Sequence, residues 1–97
     1  MNATKSADPV LVIDVRSPGE FAAGHVEGSI NLPLTSFAQE ITRVAPDKTA
    51  PIVLCCATGG RSGMACSFML QNGYTRVSNG GGAASLAGQL MRPIVRD

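Results

Sequence analysis

The sequence predicts an α/β domain with a small, mostly parallel sheet of four to five strands flanked by helices. Two short apolar runs rich in β-branched residues, VLVIDV (10–15) and APIVLCC (50–56), are typical of buried parallel strands. Segments with helical caps or helical apolar spacing alternate with the predicted strands, as in other α/β proteins. The 97 residues contain no repeat and match the length of one domain, which we assign to 1–97.

The first helix is predicted from its capping residues. In SPGE, Ser17 fits an N-cap, Pro18 the first helical residue and Glu20 the partner in a capping box. The helix covers 18–23 and ends at Gly24, a residue that suits a C-cap.

A short strand and a second helix follow. GSINLPL (28–34) predicts the strand, and Ser36 with Gln39 predicts another capping box. Phe37, Ile41 and Val44 then fall on one apolar stripe of the helix, which Pro46 ends.

The cysteine-containing strand leads through a glycine-rich turn into a third helix. Gly73 is predicted at its C-cap, with Tyr74 folding back as the apolar contact of a Schellman-type end. The helix has a broad predicted apolar face. Its members are Met64, Ala65, Phe68, Met69 and Leu70.

The C-terminal part of the chain is predicted to contain one more strand and one more helix. TRVSN (75–79) predicts the strand, and GGG (80–82) predicts a flexible loop. AASLAGQLM (83–91) predicts the helix, which Gly88 weakens.

Charge is unevenly distributed, although the net charge is only +1. Residues 1–47 hold six acids and three bases, whereas residues 48–97 hold five bases and one acid. A mildly positive second half suits a small anion and is too sparse for nucleic acid. No apolar run approaches the roughly 18 residues of a membrane span. Residues 1–10 lack the apolar core of a signal peptide. The compartment stays open between the cytoplasm and, for a mature exported form, the periplasm.

The cysteine and histidine content argues against a disulfide framework and against a metal site. Three cysteines are an odd number, and a bond between the adjacent Cys55 and Cys56 would be strained. With one histidine and no CxxC pair, zinc is not expected.

The stretch IVLCCATGGRSG (52–63) contains the candidate reactive residues. Its glycines let the backbone curl with its N–H groups inward, and the helix that follows adds its positive end. A thiol in such an anion cradle has a depressed pKa, and Arg61 adds a full charge and a planar donor group. The alternative is a pair of buried core cysteines followed by an ordinary turn.

Three motifs resemble one family. VLVIDVRSPGEFAAGHVEGSINLPL (10–34), CATGGRS (56–62) and GYTRVSNGGG (73–82) cover nearly the whole chain in the family's order. The chain resembles a single-domain rhodanese, a thiosulfate sulfurtransferase of the phage-shock-protein E type. The resemblance implies a rhodanese-like three-layer domain.

The resemblance also implies which cysteine reacts. Cys56 gives Cys-x4-Arg, the loop length of a sulfurtransferase, whereas Cys55 gives Cys-x5-Arg-Ser, the longer loop of cysteine phosphatases. The family register makes Cys56 the catalytic residue. It assigns the substrate-binding loop to Ala57, Thr58, Gly59, Gly60, Arg61 and Ser62.

The implied reaction moves the outer sulfur of thiosulfate through a Cys56 persulfide to cyanide or to a cellular thiol or dithiol. It needs no metal and no organic cofactor. The expected partners are a small anionic sulfur donor and a thiol acceptor, without nucleic acid or membrane, and the expected state is a monomer. Three alternatives stay open: a persulfide relay to a specific protein, a phosphatase or arsenate reductase using Cys55, and a non-catalytic binding module.

Other polar residues are interpreted mainly as structural or surface residues. Asp14 resembles a structural carboxylate of the family, with Arg16 as its partner, and His25 is placed in a structural turn. Cys66 is interpreted as core, with a resolving thiol as the alternative. Arg76 is placed near the site mouth, as a solvated charge or as a further part of the anion field.

Overall fold

Helices and strands alternate along the chain, and the α/β class is confirmed. The computed structural model describes residues 10–97. The prediction that the N-terminus holds no signal peptide concerns residues outside that range. The strands are β1 (Leu11–Asp14), β2 (His25–Val26), β3 (Ile30–Asn31), β4 (Ile52–Cys56), β5 (Val77–Gly82) and β6 (Ile94–Val95). The helices are α1 (Pro18–Ala23), α2 (Phe37–Val44), α3 (Gly60–Gln71) and α4 (Ala83–Leu90).

The main sheet has four strands in the order β3-β1-β4-β5, and every neighbouring pair is parallel. This agrees with the four to five strands predicted. A second sheet was not predicted: β2 and β6 pair antiparallel, with His25 opposite Val95. Two-residue strands are too short to leave an alternating pattern in the sequence, which is why the pair was missed.

The apolar core lies on both faces of the main sheet, because successive side chains of a strand point to opposite faces. Leu54 and Cys56 of β4 pack on the face covered by α2 and α3, whereas Cys55 packs on the face covered by α4. The two adjacent cysteines therefore belong to different halves of the core.

One of the two predicted capping boxes is present. At α1, the Glu20 N–H donates to Ser17 Oγ at 3.3 Å, and the Ser17 N–H donates to Glu20 Oε1 at 3.1 Å. The predicted box of Ser36 and Gln39 is wrong. A 3-10 turn, Leu34–Ser36, runs directly into α2, and the Ser36 hydroxyl donates to the Pro33 carbonyl instead.

The predicted Schellman-type end of α3 is confirmed. The Tyr74 N–H donates to the Met69 carbonyl at 3.1 Å, and the Gly73 N–H donates to the Leu70 carbonyl at 3.3 Å. Gly73 has φ +91°, a left-handed conformation that glycine adopts without a steric cost. Tyr74 is buried, and its hydroxyl donates to the carbonyl of Ala45.

The apolar face of α3 is narrower than predicted. Ala65 and Met69 are buried, but Met64 is 64% and Leu70 53% exposed. The helix packs one side against the sheet, so only part of the broad stripe finds a partner. Across residues 10–97, no helix is both long and apolar enough to serve as a membrane span.

The prediction of a flexible loop at 80–82 is wrong, because these glycines complete β5. A Cβ built on Gly82 would lie 2.7 Å from the Ala57 carbonyl oxygen, and one on Gly80 would lie 2.9 Å from a methyl group of Val53. The glycines therefore allow close packing of β5 against β4 and the loop after it.

Candidate active site

Cys56 is the last residue of β4 and lies at the carboxyl edge of the parallel sheet, the edge at which ligands bind in such folds. The chain turns through 57–59 and enters α3 at Gly60. Gly59 has φ +103°, so the turn depends on glycine there. We call residues 56–62 the cysteine loop.

The Cys56 sulfur is the focus of donors from the cysteine loop. The Gly59 N–H donates to Sγ at 2.9 Å, and the Ser62 hydroxyl lies 3.4 Å from it. Cys56 is only 1% exposed and Ser62 is fully buried. The first turn of α3 supplies its free N–H groups and positive end to the same place.

These donors make the Cys56 thiol acidic. Burial raises its pKa. Hydrogen bonds from the Ser62 side chain and from the backbone N–H groups of Ser62, Gly59 and Thr58 outweigh that effect and lower the pKa to about 7. A substantial fraction of Cys56 is therefore thiolate at neutral pH, the form in which a cysteine acts as a nucleophile.

We expect alkylation of Cys56 by iodoacetamide to follow a titration with its midpoint at about pH 7. Because the thiolate is the reacting species, the rate rises through this range and levels off above it. The measurement is the rate of Cys56 alkylation at a series of pH values, followed in the proteolytic peptide that contains residues 55 and 56. A midpoint at the ordinary cysteine value would contradict the proposed cradle.

Cys55 has the opposite character. It is fully buried on the other face of the sheet. Burial, followed by the charge of Asp14, raises the pKa of its thiol to about 12, against a smaller lowering by Arg16. This thiol is neutral at physiological pH, so the geometry favours Cys56 over Cys55 as nucleophile.

Arg61, predicted to bind the substrate anion, is held by a carboxylate. Its Nη1 donates to Glu20 Oε1 at 2.8 Å and its Nη2 donates to Glu20 Oε2 at 3.0 Å. The paired guanidinium lowers the pKa of Glu20 to about 2, with a further contribution from the Ser17 N–H. Both side chains are 39% exposed, so the pair lies at the surface of the site.

Glu20 was predicted only as a helix cap, and its second contact was missed. The second contact follows from the topology: β1 and β4 are neighbours, so α1 after β1 and the cysteine loop after β4 meet at one edge of the sheet. The pair also offsets one of the five positive charges that the sequence places in the second half of the chain.

Asn79 is a second residue that the sequence reasoning missed. Its side chain accepts a hydrogen bond from the Ser62 hydroxyl at 2.6 Å and donates one to the Gly59 carbonyl at 2.9 Å. The available signal was its position in β5, next to the cysteine strand.

The remaining predicted residues divide between site and scaffold. The Thr58 N–H helps to lower the pKa of Cys56, whereas the Ala57 carbonyl faces Gly82. Gly60 begins α3. The placement of Arg76 near the site mouth is wrong, because it precedes β5 and its carbonyl bonds to Ile52 N at the opposite, amino end of the sheet.

Asp14 and His25 make the contacts expected of structural residues, although His25 lies in strand β2 and not in the predicted turn. Asp14 is fully buried and accepts three bonds from the Arg16 guanidinium and one from the Arg16 N–H. His25 stacks on Phe21 with ring centroids 3.7 Å apart, and its Nδ1 is 2.7 Å from the Phe21 carbonyl. Cys66 is a half-buried free thiol packed against the core.

Within the part of the chain that the structure describes, no three His, Cys, Asp or Glu side chains gather closely enough to hold a metal ion. The cysteine loop presents an acidic thiol inside a turn of backbone N–H donors, an arrangement that favours an anion or a nucleophile.

Comparisons with known proteins agree with this geometry. A family model described as a rhodanese-like domain matches residues 1–84. The chain is 39% identical over 75 residues to thiosulfate sulfurtransferase PspE of Escherichia coli, covering 77% of this chain and 72% of that protein. It is 33% identical over 72 residues to a sulfurtransferase of Allochromatium vinosum, covering 74% of this chain and 65% of that protein. The matches thus span only part of these relatives.

A solved structure described as a rhodanese with anions from E. coli superimposes with a TM-score of 0.83 and 35% identity, covering 92% of this chain and all of that chain. The names of the relatives support a sulfurtransferase of the rhodanese type. Fold, cysteine loop and family model lead to one assignment: the chain belongs to the rhodanese family.

Proposed function

We propose that this protein is a thiosulfate sulfurtransferase that carries the transferred sulfur as a persulfide on Cys56. The observation that carries the proposal is the set of donors around Sγ, above all the Gly59 N–H at 2.9 Å. They stabilise negative charge on the sulfur both before the reaction, as thiolate, and after it, as persulfide.

In the first half-reaction, the Cys56 thiolate attacks the outer sulfur of thiosulfate. A sulfur–sulfur bond forms to Cys56 as the bond within thiosulfate breaks, and sulfite leaves with the electron pair. Arg61 binds the sulfonate oxygens, exchanging part of its contact with Glu20 for contact with the substrate. No general base is required, because the nucleophile is already ionised.

In the second half-reaction, a thiophilic acceptor attacks the outer sulfur of the persulfide. Cyanide gives thiocyanate and regenerates the Cys56 thiolate. A thiol gives a new persulfide once it has lost its proton, so a cellular thiol or dithiol is the proposed physiological acceptor. The sulfur travels on the enzyme itself, and the cycle uses neither a metal nor an organic cofactor.

The direct test is to incubate the reduced protein with thiosulfate and to measure its intact mass. We expect one added sulfur atom, located by peptide mapping at Cys56 and released by cyanide. An unchanged mass, or an added sulfur at Cys55, would overturn the proposal.

Glu20 competes with the substrate for Arg61, and we expect Glu20→Gln to lower the KM for thiosulfate about two- to fivefold. Glutamine can still act in the capping box, so α1 keeps its N-terminal hydrogen bonds. The measurement is steady-state thiocyanate formation at low ionic strength.

The matched control is Glu40→Gln. Glu40 also pairs with an arginine, Arg43, at the surface, but it lies on α2 away from the cysteine loop. The KM of this control variant for thiosulfate is expected to stay unchanged. If Glu20→Gln instead raised the KM, the carboxylate would be needed to orient Arg61 rather than to compete for it.

A further inference from the structure

Asn79 lies on β5, outside the cysteine loop, yet its amide group bonds to the loop on two sides. The residue is exposed, but its carbonyl oxygen accepts from the Ser62 hydroxyl at 2.6 Å and from the Gly81 N–H at 3.0 Å. Its Nδ2 donates to the Gly59 carbonyl at 2.9 Å. The amide group therefore makes three hydrogen bonds, two to the cysteine loop and one to its own strand.

The two loop residues that Asn79 contacts also place a hydrogen-bond donor beside the Cys56 sulfur. The peptide group before Gly59 supplies the N–H that lies 2.9 Å from Sγ, while the Gly59 carbonyl accepts from Asn79 and from the Gly63 N–H. Gly59 is thus held at its carbonyl while its N–H is aimed at the sulfur. Because glycine has wide backbone freedom, such a hold restricts the directions that the N–H can take.

The second contact sets the position of the Ser62 hydroxyl. This hydroxyl is 3.4 Å from Sγ and 2.6 Å from Asn79 Oδ1, and it has one proton to donate. The bond to Asn79 places Oγ beside the sulfur while the thiol is neutral. When charge develops on Sγ, the one hydroxyl proton leaves Oδ1 and turns to the sulfur, and Oδ1 keeps its bond from the Gly81 N–H. Without Asn79, the side chain is free to choose another rotamer.

The contacts are tightened by close packing around them. A Cβ on Gly63 would lie 3.3 Å from Asn79 Nδ2, and a Cβ on Gly59 would lie 3.3 Å from the Gly81 Cα. Strand β5 and the cysteine loop therefore approach each other closely at their glycines, and the Asn79 amide spans the short gap beside them.

We propose that Asn79 is a positioning residue of the sulfur-transfer site, which holds the Gly59 N–H and the Ser62 hydroxyl toward the Cys56 sulfur. It acts through these two groups and does not itself touch the reacting atom. The inference rests on the proposed role of Cys56 as nucleophile, and it adds a residue of a different strand to the site.

The test is Asn79→Ala, measured by the pH dependence of iodoacetamide alkylation at Cys56 with peptide-level mass detection. We expect the midpoint to rise by about one pH unit, which leaves about eightfold less thiolate at a pH half a unit below the wild-type midpoint. In a Ser62→Ala background the same substitution should give a smaller rise, since one of its two contacts is already absent.

Ser78→Ala is the matched control, because Ser78 is the exposed neighbour of Asn79 on β5 and points to the opposite face. It should leave the midpoint unchanged, and thermal unfolding should show that all the variants remain folded. An unchanged or lowered midpoint in folded Asn79→Ala would overturn the proposal.

The titration needs no sulfur donor, so it separates this inference from the proposed function. A raised midpoint in a protein that takes up no sulfur from thiosulfate would support the role of Asn79 and refute the sulfurtransferase activity. Normal sulfur uptake with an unchanged midpoint would refute Asn79 alone.

Discussion

Cys56→Ser is expected to abolish sulfur transfer from thiosulfate, with a loss of at least about a thousandfold in kcat/KM. A serine hydroxyl is not ionised at neutral pH and cannot form a persulfide, however well the loop donors are arranged. The measurement is thiocyanate formation together with the intact mass after incubation with thiosulfate.

Cys55→Ala is the paired variant, since it removes the neighbouring thiol and leaves the loop in place. We expect it to keep most of the activity and to lower the free energy of unfolding by about 1 kcal/mol, because the thiol fills core space. If Cys55→Ala lost all activity while Cys56→Ser stayed active, the assignment of the nucleophile would be reversed. That result would favour the longer phosphatase-type loop.

Gly82→Ala is expected to lower kcat/KM by about a hundredfold, since small displacements of a catalytic group have effects of this size. The added Cβ would lie 2.7 Å from the Ala57 carbonyl oxygen, which is backbone and cannot rotate away. The peptide beside Cys56 must therefore shift. Overpacking of this kind also costs about 1–3 kcal/mol of stability. The measurements are kinetic assays and chemical denaturation.

Gly88→Ala provides the comparison for this variant. A Cβ at Gly88 meets nothing within 4 Å, and the residue lies in α4. We expect unchanged activity and a gain of up to about 1 kcal/mol, because alanine favours the helix. If Gly82→Ala retained full activity, the close approach of β5 would not determine the loop geometry.

The features that the sequence predicted correctly are those encoded over short distances. The capping box of Ser17 and Glu20 and the glycine end of α3 at Gly73 depend on residues within one helical turn. The choice of Cys56 over Cys55, which comes from the family spacing to Arg61, stays a prediction, and the location of the two buried thiols on opposite faces of the sheet favours it.

The features that were missed depend on which elements become neighbours. Glu20 is 41 positions from Arg61, and Asn79 is 17 from Ser62. Neither contact leaves a local pattern. The glycines of β5 were misassigned for the same reason, because their small size serves a packing contact with Ala57 that no local rule anticipates.

The alternation of β4 has a consequence for how the nucleophile is chosen. Cys55 and Cys56 have the same functional group and are adjacent in sequence, yet one thiol is acidic and the other is neutral at physiological pH. What separates them is parity: even-numbered side chains of this strand face the loop helix, and odd-numbered ones face away. A shift of the strand by a single residue would exchange the two identities without altering any atom of either cysteine.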